Sequence, residues 1–373
     1  MGIGRTRLFF GRFLIPLYLH GSKLEHLELD LSGVNSWDPP EPIGPSVFAS
    51  VARGCPKLKY LHLEGTVVSE DDILSFVAHC SGLQHVCARL QEGGSALRLA
   101  TALRRHCASL ESVELRRGWE LSEGCFTGLG RLCKLVLHQS ADDDDLQHIL
   151  PCLPRLEHLE LPRSYNVTTL QGVSLFLTHL VMPDCDLTDA AMQSVIHNCP
   201  LLQRLSVGGR HITTLLCSRL VQLKMIGTEL LTDAAMSSVL RGCPALEQLN
   251  VSHSLSLTKL EADCPRLTRL VAQYCERLTT FGGTLERLEH ADLKDCLQLE
   301  AVSAVCKALQ TLELNGCPRL AILPVRRERL EHTQPTWSSA PRRPGVYTQR
   351  LSVRPPSRDN PFAHGHSAYC TSR

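Results

Sequence analysis

A prevailing charge is missing from this chain: 39 Lys and Arg stand against 38 Asp and Glu, for a formal net charge of +1. So balanced a molecule has no global field to draw it to nucleic acid or to an anionic membrane, so partners have to be argued from local patches. Aromatic residues are scarce, 5% against 43% hydrophobic residues in all, which points to a core of branched aliphatic side chains. No apolar run reaches the roughly 18 residues that a transmembrane helix needs, so none is expected. Motifs that carry chemistry are absent as well. There is no Gly-x-x-x-x-Gly-Lys loop, no Gly-x-Gly-x-x-Gly, no Gly-x-Ser-x-Gly, no His-Glu-x-x-His and no Cys-x-x-Cys pair. Those absences argue against catalysis, and the chain is read as a non-enzyme that takes no cofactor and no metal.

What the chain does have is leucine in rhythm. The pattern leucine, two residues, leucine, one residue, leucine recurs with conservative replacements, starting at Leu24, Leu58, Leu83, Leu110, Leu132, Leu156, Leu177, Leu202, Leu220, Leu246, Leu267, Leu288 and Leu309. Most intervals fall in the window of roughly 20 to 29 residues that marks leucine-rich repeats. A strand alternates its side chains, so in Leu156-Glu157-His158-Leu159-Glu160-Leu161 the leucines point to one face while His158 and Glu160 point to the other. One such unit cannot bury its leucines alone. Neighbours must stack, and their strands must pair into a continuous parallel sheet. The predicted fold class is therefore α/β, a curved leucine-rich-repeat solenoid of about 13 repeats over residues 21–325, with its parallel sheet on the concave side.

The return segments differ along the chain. Leu187-Thr188-Asp189-Ala190-Ala191-Met192 and Leu231-Thr232-Asp233-Ala234-Ala235-Met236 carry helix signals, with Thr188 and Thr232 as caps, and Ser69-Glu70-Asp71-Asp72 repeats the logic. The run Asp142 to Asp145 is read the same way, as the cap of a convex helix rather than a calcium loop, because it lacks the alternating spacing and the glycine. Repeats starting at Leu246, Leu267 and Leu288 are 21 residues long and show no capped helical stretch, so their convex side should be extended or turn-like. Helices need about 10 Å between axes and paired strands about 4.8 Å, which predicts a curved N-terminal arc and a flatter C-terminal end.

The outward strand positions are the candidate site. At the third position stand His26, Tyr60, His85, Ser112, Lys134, His158, His179, Arg204, Gln222, Gln248, Arg269, His290 and Thr311. At the fifth stand Glu28, His62, Cys87, Glu114, Val136, Glu160, Val181, Ser206, Lys224, Asn250, Val271, Asp292 and Glu313. From these, Tyr60, His62, His85, Glu114, Lys134, His158, Glu160, His179, Arg204, Lys224, Gln248, Asn250, Arg269, His290 and Asp292 are the expected contacts to a protein partner. His158, His179 and Glu160 are close enough in register to raise zinc, but they lack a cysteine or a fixed short spacing, and polar side chains on a solvated sheet face need no metal. The mixture of signs favours a protein over a uniformly anionic polymer.

Seventeen cysteines would suggest disulfides in a secreted protein, but Cys55, Cys80, Cys107, Cys199, Cys243, Cys264 and Cys306 each precede a pattern leucine by three residues. They recur with the repeat and read as small buried hydrophobes, as do Cys185, Cys275, Cys296 and Cys317 just past the strands. Reduced thiols place the chain in the cytoplasm or nucleus. Residues 1–20 are unassigned or a partial cap, with Gly2 a loose myristoylation match, and residues 326–373, rich in arginine, proline and serine, read as a disordered basic tail.

The combination Cys-Pro-x-Leu-x-x-Leu-x-Leu-x-x-Cys-x-x-Leu-Thr, visible from Cys264 to Leu278 with modest variation and partly again from Cys199 and Cys243, resembles the cysteine-containing repeats of F-box/leucine-rich-repeat proteins. That resemblance covers about residues 21–323. It implies a protein-binding solenoid that captures a substrate for an SCF-type cullin ubiquitin ligase, with the cullin adaptor as a partner where an F-box lies upstream. No F-box is visible here, and a stand-alone scaffold or inhibitor is the alternative.

Overall fold

In a computed structural model of the chain, the described residues are 5–8, 21–31, 45–65, 68–89, 93–116, 119–138, 141–185, 187–208, 215–228, 230–321 and 350–352. Gly2 and nearly all of the basic tail lie outside them. One 15-stranded sheet runs through the molecule, with neighbouring strands taken from consecutive repeats. All its pairs are parallel except the last, where Arg350–Ser352 lies antiparallel to Thr311–Glu313. At the other end Arg5–Leu8 pairs with His26–Leu31 and adds a strand ahead of the first repeat read from sequence.

The alternation in the sequence produces this sheet. Leu27, Leu61, Val86, Val113, Leu135, Leu159, Leu180, Leu205, Leu223, Leu249, Leu270, Ala291 and Leu312 share one register row and are all buried. Burying such a side chain contributes about 1.5–3 kcal/mol. A repeat gains that only when its neighbour covers it, so the core is one unbroken cluster along the coil.

Behind the sheet the long repeats carry helices: α1 (Pro45–Gly54), α2 (Glu70–His79), α3 (Ala96–His106), α4 (Asp143–Ile149), α5 (Asp189–Asn198) and α6 (Asp233–Gly242). The caps are those expected: Thr188 accepts from Ala191 N at 3.2 Å and Thr232 from Ala235 N at 3.3 Å. Ser69 and Asp72 cap each other's backbone at the start of α2. The four aspartates before Leu146 are all engaged in local structure. Asp142 and Asp145 form a capping box, Asp144 accepts from Gln147, and Asp143 accepts from the N–H groups of Thr168 and Thr169.

From Lys259 onward the helices give way to strands. Lys259–Glu261, Thr280–Gly282 and Ala301–Val302 pair as a second parallel sheet on the convex side. At its turn Gly283 adopts φ +108°, and a Cβ there would stand 2.3 Å from the carbonyl oxygen of Ala262, so only glycine fits.

Cysteines occupy two repeated places. Cys80, Cys107, Cys199 and Cys243 end α2, α3, α5 and α6, and the carbonyls of Cys55, Cys80, Cys107, Cys199, Cys243 and Cys264 each accept from the N–H of the leucine three residues on. The second set forms a ladder past the strands: the thiols of Cys275, Cys296 and Cys317 donate to Val251 O, Ala272 O and Leu293 O of the preceding repeat at 3.3, 3.1 and 3.1 Å. Burial pushes the thiols of Cys80 and Cys185 up to about 12, far from reactive thiolates. Among the described residues every cysteine is free, and no helix is long and apolar enough to cross a membrane.

Candidate protein-binding face

Register places the sequence-derived residues in two parallel columns. Tyr60, His85, Lys134, His158, His179, Arg204, Gln248, Arg269 and His290 fall in one row, and His62, Glu114, Glu160, Lys224, Asn250 and Asp292 fall in the next. All fifteen are at least partly exposed, with buried residues between the columns. Two fifth-position residues depart from the outward reading. Cys87 and Val136 are only 5% and 2% exposed. Glu114 and Arg116 crowd the Cys87 thiol, and Val136 lies between Glu114 and Glu160 in the register.

A third outward column, two residues beyond the fifth position, escaped the sequence reading. It contains Glu64, Arg89, Arg116, His138, Gln273 and Lys294. The signal was available, since the alternation in Tyr60–Gly65 continues through Glu64.

This extra column ties the N-terminal face together. Glu64 accepts from Arg89 at 2.9 Å and from Arg116 at 2.7 Å, and it also faces His62 at 3.3 Å. Arg116 then reaches Glu114 at 2.6 Å, which meets His138 at 3.4 Å. The hydrogen bond from His138, reinforced by Arg116, outweighs burial and holds the Glu114 carboxyl down at about 2. Above this network the rings of His26 and Tyr60 stack 4.0 Å apart.

Further along, Lys134 pairs with Glu160 at 3.3 Å, and Glu160 also bonds His158. A hydrogen bond from His158, with help from Lys134, holds Glu160 below the usual carboxylate range. The His158 and His179 rings stack 5.0 Å apart with planes 12° from parallel. Burial, then the neighbouring His158 and Arg204, lowers the pKa of His179. Parallel rings aim their in-plane nitrogens side by side rather than at one point, and His158 Nε2 and His179 Nδ1 are taken by Glu160 and Thr178. Near the C-terminal end Lys294 bridges Asp292 at 3.5 Å and Glu313 at 3.2 Å.

Between these two paired regions lies a different surface. Arg204, Lys224 and Arg269 make no ion pair among the described residues, and Arg204 and Arg269 are exposed. Gln222, Lys224, Gln248, Asn250, Arg269 and Val271 line a shallow pocket of about 280 Å³ floored by Leu223 and Leu249. It is polar and open, and its lining holds no Ser, Cys, His, Asp or Glu.

No family model matches the chain, and no curated protein matches it. Among solved structures, Rad7 from the yeast Rad7 and Elc1 complex is similar at 14% identity, covering 71% of this chain and 77% of that one, with a TM-score of 0.44. An internalin (InlF) from Listeria monocytogenes is similar at 14% identity over 75% of this chain and 83% of that one, TM-score 0.43. The functional domain of InlJ from the same organism, described as including a cysteine ladder, is similar at 15% identity over 77% of this chain and 55% of that one, TM-score 0.39. What this chain's own strand register and two-sided backing show is a leucine-rich-repeat solenoid of the α/β class.

Proposed function

We propose that this chain is a non-catalytic recognition module that holds a partner protein against the concave face of its parallel sheet. The observation that carries the reading is the pair of outward columns: thirteen strands in strict register present polar and charged side chains over a continuous apolar floor, with no helix of the described residues on that side. A broad, rigid, pre-formed surface of this kind suits a folded or extended protein better than a small metabolite, which wants a deep apolar cleft.

The module serves as the substrate-recognition part of an SCF-type cullin ubiquitin ligase. Support for that comes from the cysteine-containing repeats between Cys264 and Leu278, which resemble those of F-box/leucine-rich-repeat proteins. Reduced, buried cysteines in both repeated positions suit the cytoplasm or nucleus, where such ligases act. Neither a membrane nor nucleic acid is part of the reading. The test is affinity purification of the tagged full chain from its own cells, with mass spectrometry of what co-purifies. A substrate is expected with the chain as given, and cullin with its adaptor from a form extended upstream by an F-box. A defined partner recovered with both forms and without adaptor or cullin would replace the ligase role with that of a stand-alone scaffold or inhibitor.

A further inference from the structure

The concave face is not uniformly charged, and the break in its pattern names a partner chemistry. From Glu160 to Asp292 the fifth-position column reads Val181, Ser206, Lys224, Asn250 and Val271. The third-position column over the same strands contributes Arg204 and Arg269 with His179 and two glutamines. No carboxylate occupies either column across those five strands. Glu247 sits one residue before Gln248, where the chain enters the strand, and Glu160 and Asp292 bound the fifth-position column on the flanking strands. On both sides the outward cations already have carboxylates: Arg89, Arg116 and Lys134 before this stretch, Lys294 after it. Within the outward columns of the described residues, three Lys and Arg side chains are left without one only here.

An exposed cation in water needs no partner, so one such residue would mean little. Three on four adjacent strands, around a polar pocket and in a surface that elsewhere neutralises itself, amount to charge complementarity toward an absent anion. We infer that this stretch takes an extended acidic segment of the partner protein, laid across the strands with carboxylates at alternate residues. The spacing fits. Arg204 and Arg269 are three strand steps apart, about 14 Å, and Lys224 lies one step from Arg204. An extended chain rises about 3.3 Å per residue and turns every second side chain to the same face. Carboxylates at a first, third and fifth residue therefore span about 13 Å, on one side. The Gln222 and Gln248 side chains offer amide donors and acceptors to the backbone of that segment, and Asn250, whose Oδ1 accepts from Ser252 N, adds its Nδ2 donor. A lone phosphate group spans only a fraction of that distance, and for this reason the assignment is to carboxylates.

This inference rests on the protein-binding reading of the concave face and can fail without it. The test is fluorescence polarisation of labelled peptides against the full chain at low ionic strength. Gly-Ser-Glu-Ser-Glu-Ser-Glu-Ser-Gly is expected to bind, its lysine counterpart not, and a peptide with the three glutamates contiguous more weakly. Arg204→Glu with Arg269→Glu should weaken the glutamate peptide roughly tenfold or more, the corresponding Gln pair by a smaller factor, and Arg105→Glu on α3 not at all. Raising salt should weaken binding steadily. Circular dichroism of each variant shows that it is folded. Equal binding of glutamate and lysine peptides, or an unchanged affinity in the Arg204/Arg269 pair, overturns the inference. So does tighter binding, lost in the same variants, of single-stranded DNA of matched charge or of a peptide carrying phosphoserine in place of glutamate. If the peptides fail while a partner still cross-links to Gln222 or Gln248, only the acidic-segment assignment falls. If the partner cross-links elsewhere, the concave-face reading falls with it.

Discussion

From Pro45 to Gly242 the long repeats back their strand with a helix, whereas from Lys259 onward a three-stranded parallel sheet does the same work. The front of the molecule hardly registers the change, since the outward columns run straight through it in register. Front and back are thus specified separately: the leucine rhythm sets the sheet, and the length and caps of the return segment set what covers it. From Leu246 on, the 21-residue repeats have no room for a capped ten-residue helix, and their chain returns as a strand. At the junction a single side chain spans both solutions. Asp233, the first residue of α6, accepts from Thr258 N at 2.7 Å and Lys259 N at 2.9 Å, at the start of the first convex strand.

The front divides elsewhere, by charge rather than by backing. The N-terminal strands neutralise themselves through Glu64, Arg116 and Glu114, and the middle strands leave Arg204, Lys224 and Arg269 open. A self-neutralised surface stabilises the fold; an open one is available to a ligand.

The largest effect should come from emptying either backing. Phe76 on α2 and Phe281 in the convex sheet are both fully buried. Truncating either to alanine should cost about 3–5 kcal/mol in chemical denaturation. Because each repeat touches only its neighbours, hydrogen exchange should rise around the mutated half first. Equal deprotection of both halves by Phe281→Ala would show the division to be one of appearance only.

Next comes Arg116→Ala, which leaves Glu64 and Glu114 without a shared partner and should cost about 1–3 kcal/mol. Glu114 carries a pH signature. Its folded value of about 2 lies below the ordinary carboxylate near 4.3, so its contribution is present above that value and is lost as pH falls toward about 2. Acid titration of unfolding should show this decline, and Glu114→Gln should flatten it.

Asp233→Ala should be milder, about 1 kcal/mol, because the half-buried carboxylate loses bonds at one junction only. Its effect should be local, with faster hydrogen exchange at Thr258 and Lys259. Smallest of all, Arg204→Glu together with Arg269→Glu should change the stability read by chemical denaturation by no more than about 0.5 kcal/mol while acidic-peptide binding weakens roughly tenfold or more.

Much of this was legible in the sequence because a period of two and a repeat of fixed anchors leave little freedom. All thirteen third-position residues fell into one row. Two helices were not read: α1 and α3. The spacing of Ala96, Leu99, Ala100 and Leu103 behind the Ser95 cap was there to see, but no acidic first turn marked it. Cys87 and Val136 stand in the front column yet are covered, since burial there depends on side chains of neighbouring strands, Glu114 and Arg116 at Cys87 and Glu114 and Glu160 beside Val136. Ion pairing is not written in periodicity either. That Arg116 and Lys134 are partnered while Arg204 and Arg269 are not follows from which acids the neighbouring strands happen to carry.

The central claim is that the partner lies against the sheet and not against the helices. A photo-cross-linking amino acid placed singly at Gln222, Gln248, Arg105 and Arg241 of the full chain, with the co-purified partner identified by mass spectrometry, tests it directly. Cross-links from Gln222 and Gln248 with none from the helix positions Arg105 and Arg241 are predicted. Cross-links from Arg105 or Arg241 with none from the sheet would contradict the account.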